Sequence, residues 1–160
     1  MSTKPEKYNK DKQILKKNVS AIHIGAKLSL LQRKLVNALL YNAYDHLLTA
    51  KEHQISSTLL CEMIGFDSNN TAYLEAALKG IVETTIEFDI LEDDGTRDWK
   101  VSSLISEAGI RKGVCSYAFS ASMADKLYHP DMYSKINLSV LREMNSAHAL
   151  VLYETCHPYL

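Results

Sequence analysis

The chain has 160 residues, 46% of them hydrophobic, which is enough to bury the core of a single domain. Its formal net charge of −1 excludes a protein that is basic over its whole surface. The charge is uneven, because residues 1–27 carry seven lysines and two acidic residues, whereas residues 28–160 carry eleven basic and seventeen acidic residues. The lysine-rich segment 1–27 could contact nucleic acid, although a segment of this composition is more commonly a solvated tail.

The three cysteines, Cys61, Cys115 and Cys156, are odd in number, widely spaced and without a C-x-x-C pair. This spacing argues against a disulfide framework and against a structural zinc site, so we expect reduced thiols. No apolar run approaches the ~18–20 residues of a membrane span, and the N-terminus lacks an apolar signal core. We therefore expect a soluble, cytoplasmic protein without a membrane partner.

The first elements in chain order are a basic arm and a long helix. Residues 1–18 are charged and poor in apolar side chains, which predicts a flexible arm, followed by one domain over residues 19–160. Ser29 and Gln32 have the spacing of a capping box, which begins a helix that extends to about Leu48. The apolar face of this helix is wide, and we expect it to be covered on more than one side, either by the core or partly by a second copy.

Two short helices come next. Ser56 is a predicted N-cap for a helix over Ser57–Ile64, and Gly65 follows where a left-handed residue would end it. Asp67–Asn70 offer several capping side chains for a second helix, Thr71 to about Glu83. Two short helices joined by a glycine-containing turn match the helix-turn-helix pattern.

A strand follows the second helix directly. Residues 85–91 alternate, with Ile86, Phe88 and Ile90 expected to face inward, which is typical of a half-buried strand. Glu92–Gly95 has the composition of a turn.

Two further strands are predicted over Trp99–Ile105 and Val114–Phe119, on either side of a loop at Glu107–Gly113. The loop contains Arg111 and Lys112, so the two strands would form a hairpin with a basic tip. Such a tip is typical of the wing of a DNA-binding domain and equally of an ordinary exposed turn. A helix-turn-helix followed by a small antiparallel sheet predicts an α+β fold of the winged-helix type.

The end of the chain predicts additional C-terminal elements. Ser122 and Asp125 have the spacing of a capped start for a short helix over residues 123–128. Lys135–Leu138 is strand-like, and Asn145 or Ser146 begins a last helix that extends to about residue 157.

Signatures of enzyme chemistry are missing from the sequence. The six glycines form no phosphate-binding loop, and no nucleophile elbow occurs. The six histidines lack metal-ligand spacing, and we interpret each as a surface or capping residue. Asp93 and Asp94 beside Gly95 are explained by turn chemistry, and Cys115 by packing in a core strand. We expect no enzyme activity, no cofactor, no metal and no small-molecule substrate.

Polar and basic residues of the second short helix and of the predicted wing are the candidate DNA contacts. The helix has one cation, Lys79, which is balanced by Glu75 and Glu83. Residues near its N-terminus could donate hydrogen bonds to phosphates or base edges, although helix capping also explains them. The candidate DNA-binding residues are Asn69, Asn70, Thr71, Tyr73, Lys79, Arg111 and Lys112.

Five segments in this order resemble a known family. They are Leu30–Leu35, Ile55–Phe66, Phe119–Ser120, the I-N-L of Ile136–Leu138 and the A-L-V-L-Y-E of Ala149–Glu154. Together they resemble the N-terminal winged-helix domain of iteron-binding plasmid replication initiators of the Rep superfamily. The resemblance covers roughly residues 15–157.

This resemblance implies a function beyond what the residues alone indicate. Such initiators carry two similar winged-helix domains, bind repeated origin sequences as monomers and dimerise mainly through the first domain. The dimers repress the initiator's own promoter or pair DNA-bound copies, and the proteins recruit host replication proteins. The second domain makes the dominant base contacts, in keeping with the weakly basic helix seen here.

The chain departs from the family in length, since no second winged helix precedes Leu160. The resemblance therefore predicts a truncated initiator in which dimerisation is the activity best retained. Two alternatives remain open, a stand-alone winged-helix transcription repressor and a protein-interaction module that does not bind DNA.

Overall fold

The computed structural model describes residues 14–18, 28–66, 71–91, 93–128, 133–137 and 142–156. These residues form an α+β domain of five α-helices and seven strands. In chain order the elements are β1 (Ile14–Asn18), α1 (Leu30–Ala43), β2 (His53–Ser56), α2 (Ser57–Ile64), α3 (Thr71–Val82), β3 (Thr85–Leu91), β4 (Arg97–Ser103), β5 (Glu107–Arg111), β6 (Val114–Ala118), α4 (Ala121–Leu127), β7 (Tyr133–Asn137) and α5 (Ala147–Cys156).

Helix α1 begins at the predicted capping box. The Ser29 side chain accepts a hydrogen bond from Gln32 N at 3.2 Å, and Gln32 Oε1 accepts one from Ser29 N at 3.0 Å. The α-helix ends at Ala43, earlier than predicted, and a 3-10 turn over Tyr44–His46 continues it. A tightened last turn of this kind is common where a helix terminates.

Strand β6 is the centre of a three-stranded antiparallel sheet with the order β2–β6–β5. Its hairpin with β5 turns on Lys112 and Gly113, whose φ angles are both positive at 50° and 75°. A type I′ turn, which connects two antiparallel strands through two residues, requires a positive φ angle at both of them. The prediction of a loop over Glu107–Gly113 was therefore wrong, because residues 107–111 form a strand that pairs with β6.

Strands β3 and β4 form a separate two-stranded ribbon, with Thr85 paired to Ser103 and Leu91 paired to Arg97. The sequence predicted a hairpin between Trp99–Ile105 and Val114–Phe119, and this pairing was also wrong. The segment Glu92–Gly95, which has the composition of a turn, lies between β3 and β4 in the sequence. The hairpin is therefore formed by these two strands. Residues 97–101 of β4 are exposed.

The N- and C-terminal parts of the domain are joined by strands. Ile14–Asn18, the last residues of the predicted arm, form β1 and pair antiparallel with β7 over Tyr133–Asn137. Helix α4 starts two residues earlier than predicted. Its N-cap is Ser120, whose side chain accepts from Met123 N at 3.1 Å, rather than Ser122.

The core surrounds α1, which contributes the fully buried Leu35, Leu39 and Leu40. Tyr117 from β6 reaches this helix, where its hydroxyl donates to Leu39 O at 2.5 Å and accepts from Asn42 Nδ2 at 2.9 Å. Helix α1 contacts α2, α3 and β2, and also β1 and α5, so it lies at the centre of the domain. Within the described residues, no helix combines the length and apolar character needed to cross a membrane.

Candidate nucleic-acid interface

The helix-turn-helix forms as the sequence predicts. The Ser56 side chain accepts from Leu59 N at 3.0 Å and caps α2. At the other end Gly65 adopts φ 69°, while Phe66 N donates to Cys61 O at 2.9 Å and Gly65 N donates to Glu62 O at 3.3 Å. This pair of bonds is a Schellman motif, which satisfies the last carbonyls of α2 and directs the chain toward α3.

Arg142, from the segment before α5, packs against this turn and was not identified from the sequence. A Cβ atom on Gly65 would lie 2.8 Å from Arg142 Cγ. Lys34 Nζ in α1 donates to Arg142 O at 2.6 Å and holds the segment in place. No local pattern could indicate this contact, because it joins parts of the chain that are far apart in sequence.

Replacing Gly65 by alanine is expected to lower the free energy of unfolding by roughly 1–2 kcal/mol, since the left-handed conformation costs a Cβ-bearing residue about that much. The close Arg142 side chain adds to this cost. Urea titration measures the change. Gly109→Ala is the control, because its Cβ would meet no atom within 4 Å, and a shift as large for Gly109→Ala would contradict the assignment.

Helix α3 is held against the start of α1 by a contact that the sequence also did not reveal. The capping residue Gln32 donates through Nε2 to Ala77 O at 3.4 Å. A Cβ atom on Gly80 would overlap Gln32 Nε2, so glycine at this position lets the two helices approach. The capping box therefore also fixes the position of α3.

The candidate residues of α3 lie on its exposed surface. Thr71 and Tyr73 are in its first turn, and Tyr73 stacks on Phe66 with ring centroids 6.0 Å apart. Lys79 is exposed, with its Nζ 3.9 Å from Glu83 Oε1. Asn69 and Asn70 lie outside the described residues. The N-H groups at a helix start favour an anion such as phosphate, which suits a DNA backbone contact.

Arg111 and Lys112 are exposed at the tip of the β5–β6 hairpin. The tip is fixed to the helix-turn-helix, because Ser57 N at the start of α2 donates to Gly113 O at 2.9 Å. It carries the predicted basic residues, but on a short two-residue turn in place of a long loop. Helix α3 and β5 lie next to each other, with Glu75 to Val82 on one side of a shared groove and residues 106–110 on the other.

His53 departs from the prediction that each histidine lies at the surface or caps a helix. It is 7% exposed on β2, with its ring 5.5 Å from Tyr117 and 6.0 Å from Phe119. Burial lowers the pKa of His53 below 6.5, and the nearby His46 adds to this effect. The neutral imidazole is therefore a part of the aromatic packing behind β2.

This burial predicts a pH dependence of stability. The unfolded chain binds a proton at His53 with the ordinary pKa of 6.5, whereas the folded chain binds it less readily, so stability should fall as pH drops below about 6.5. Urea midpoints measured between about pH 5 and 8 should show a smaller slope for His53→Gln. His46→Gln should keep most of the slope, and equal slopes for the parent and His53→Gln would refute the assignment.

Within the described ranges, no cluster of three or more histidine, cysteine, aspartate or glutamate side chains is arranged to hold a metal ion.

Comparison with known proteins identifies the family and the fold of the chain. Residues 14–157 match the family model described as Initiator Replication protein, WH1. No curated protein matched the sequence. One similar solved structure is the X-ray crystal structure of the MSBI1.176 WH1 domain, described as a replication protein isolated from a multiple sclerosis patient, with a TM-score of 0.52 and 14% identity over 78% of this chain and 92% of that one. The structural likeness supports the winged-helix fold, and the family match spans nearly all of the chain. The chain therefore belongs to the initiator replication protein family, in which it is a WH1 domain.

Proposed function

We propose that this WH1 domain, the N-terminal domain of a plasmid replication initiator, makes accessory contacts to origin-repeat or operator DNA and associates with a second copy of itself. It would act in the cytoplasm, together with a base-reading winged helix and host replication proteins. The DNA surface would consist of α3 and the tip of the β5–β6 hairpin.

The observation that carries the DNA part is the exposure of the predicted contact residues on adjacent elements. Thr71, Tyr73 and Lys79 are exposed on α3, and Arg111 and Lys112 are exposed on the tip that binds the start of α2. The helix start and three cations can contact phosphates, while the acidic balance of residues 28–160 limits the affinity. This combination suits a domain that contacts the DNA backbone alongside a second domain that binds the DNA more strongly.

The test is a titration of a fluorescent duplex that carries the origin repeat of the replicon encoding this chain. The logarithm of the affinity should fall linearly with the logarithm of the salt concentration between about 50 and about 200 mM, with a slope set by a few phosphate contacts. A shuffled duplex measures the sequence-independent part. Absence of binding at the lowest salt would favour the interaction module that does not contact DNA.

The β3–β4 ribbon supports the proposal of self-association. Trp99 and Val101 are 51% and 47% exposed on the same face of β4. Glu87 lies on that face and accepts a hydrogen bond from Trp99 Nε1 at 3.4 Å. An exposed aromatic and aliphatic pair on a two-stranded ribbon is typical of a surface that another molecule covers.

Replacing both Trp99 and Val101 by serine is expected to shift the protein toward the monomer, because an apolar pair at the centre of a small interface supplies much of its affinity. Sedimentation equilibrium measures the shift, and we expect a dissociation constant at least roughly tenfold larger. Leu48→Ser and Leu152→Ser, at exposed leucines outside the ribbon, are the control. A monomeric parent protein at high concentration would refute self-association.

A further inference from the structure

The two outer edges of the three-stranded sheet differ. Along β2, Gln54 O points away from β6 and accepts a hydrogen bond from Asn42 Nδ2 at 3.1 Å. Along β5, the tight turn makes Arg111 and Val114 a hydrogen-bonded pair, so the N-H and C=O groups of Ala108 and Ile110 point away from β6. In the part of the chain that the structure describes, no residue bonds to these four groups.

A groove of about 330 Å³ follows this open edge. One wall is α3, where Leu78 and Val82 are apolar, and the other wall is residues 106–110. The side chains of successive strand residues point to opposite faces of a sheet. A groove over one face would therefore be lined by every second residue, whereas this groove is lined by all of residues 106–110 and so runs along the edge of the sheet. Ala108 and Ile110 also pack on the core, which gives the groove an apolar floor.

The charges along the groove are those of a site for cations. Glu75 and Glu107 line it, and among the described residues neither of them forms an ion pair. Lys79 also lines it, but its charge is balanced by Glu83 at 3.9 Å. Phosphate groups would be repelled by the two carboxylates, whereas lysine or arginine side chains would be attracted.

We propose that this groove binds an extended peptide of another protein, which adds as a strand to β5 and carries basic residues alternating with apolar ones. The main chain of the peptide would bond to the N-H and C=O groups of Ala108 and Ile110. Its apolar side chains would pack on Leu78 and Val82, and its basic side chains, on the opposite face of the added strand, would lie beside Glu107, while Glu75 adds a negative charge to the α3 wall. The proposal does not depend on DNA binding, although α3 forms one wall of the groove and is also a part of the proposed DNA surface.

The experiment is an NMR titration of the ¹⁵N-labelled chain with the synthetic peptide acetyl-KVKVK-amide. We expect the amides of Ala108 and Ile110 to shift and to exchange more slowly with solvent. The same peptide N-methylated at alternate residues, and the peptide acetyl-EVEVE-amide, should each bind at least roughly tenfold more weakly, because they lack strand hydrogen bonds or the matching charge.

Two protein variants separate the contributions. Ala108→Pro removes the N-H group that points away from β6 and leaves the hydrogen bonds between β5 and β6 in place. The peptide should then no longer slow the amide exchange of Ile110. Glu75→Gln with Glu107→Gln should leave the fold intact and reduce the preference for acetyl-KVKVK-amide over acetyl-EVEVE-amide. Unfolding midpoints confirm that each variant is folded.

Three results would overturn the proposal. Equal binding of the N-methylated peptide would exclude strand addition. Protection of Ala108 and Ile110 that rises with protein concentration in the absence of peptide would assign the edge to a second copy of the chain. Protection of the same two amides by duplex DNA alone would assign the groove to nucleic acid.

Discussion

Replacing Lys79, Arg111 and Lys112 together by alanine is expected to weaken binding of an origin-repeat duplex by roughly tenfold or more. The three side chains are exposed on α3 and the hairpin tip, and we propose that each contacts a phosphate. The slope of log affinity against log salt should decrease by roughly 2–3, because fewer counterions are released. Fluorescence titrations at several salt concentrations measure both quantities.

The matched control removes the same charge at positions outside α3 and the hairpin tip. Lys51 precedes β2, Lys126 is in α4, and Lys100 Nζ donates to Ser122 Oγ at the start of α4. Alanine at these three positions should leave the affinity and the salt slope close to those of the parent. If both triple variants lose the same affinity, binding follows net charge and not the proposed surface.

Replacing Leu39 by alanine is expected to destabilise the domain by about 2–5 kcal/mol. Leu39 is fully buried on α1, the helix against which both the sheet and the helix-turn-helix pack. A loss of this size is a large share of the ~5–15 kcal/mol that stabilises a typical domain. The midpoint of urea unfolding should fall while the slope of the transition is unchanged.

Leu48→Ala is the matched control, because Leu48 follows the same helix and is 55% exposed. Its unfolding free energy should remain within about 0.5 kcal/mol of the parent value. Similar losses for the two leucines would mean that α1 is not the central support of the fold.

The sequence predicted those parts of the fold that depend on neighbouring residues. The caps at Ser29 and Ser56, the left-handed Gly65 and the bounds of α2 follow from side chains three or four positions apart. The exposed positions of Thr71, Tyr73 and Lys79 follow from helical periodicity.

The strand pairing could not be read in the same way. Glu107–Arg111 contains Gly109 and three charged or small residues, a composition typical of a loop, yet it forms a strand because β6 offers a partner. Contacts between distant segments were equally hidden, as Gln32 to Ala77 and Arg142 to the Gly65 turn show. Neither contact leaves a periodic signal in the chain.

A burial pattern explains why His53 was also misassigned. Its neighbours in β2 alternate between buried and exposed, with His53 and Ile55 buried and Gln54 exposed. The alternation was present in the sequence, but a four-residue strand is too short to distinguish from a polar connector by pattern alone.

The most direct measurement is a map of backbone amide shifts in the ¹⁵N-labelled chain on addition of the origin-repeat duplex. The largest changes are expected at Thr71, Tyr73, Lys79, Arg111 and Lys112, with the amides of α4 unaffected. Changes confined to α4 or to the β3–β4 ribbon at saturating duplex would contradict a DNA surface made of α3 and the hairpin tip.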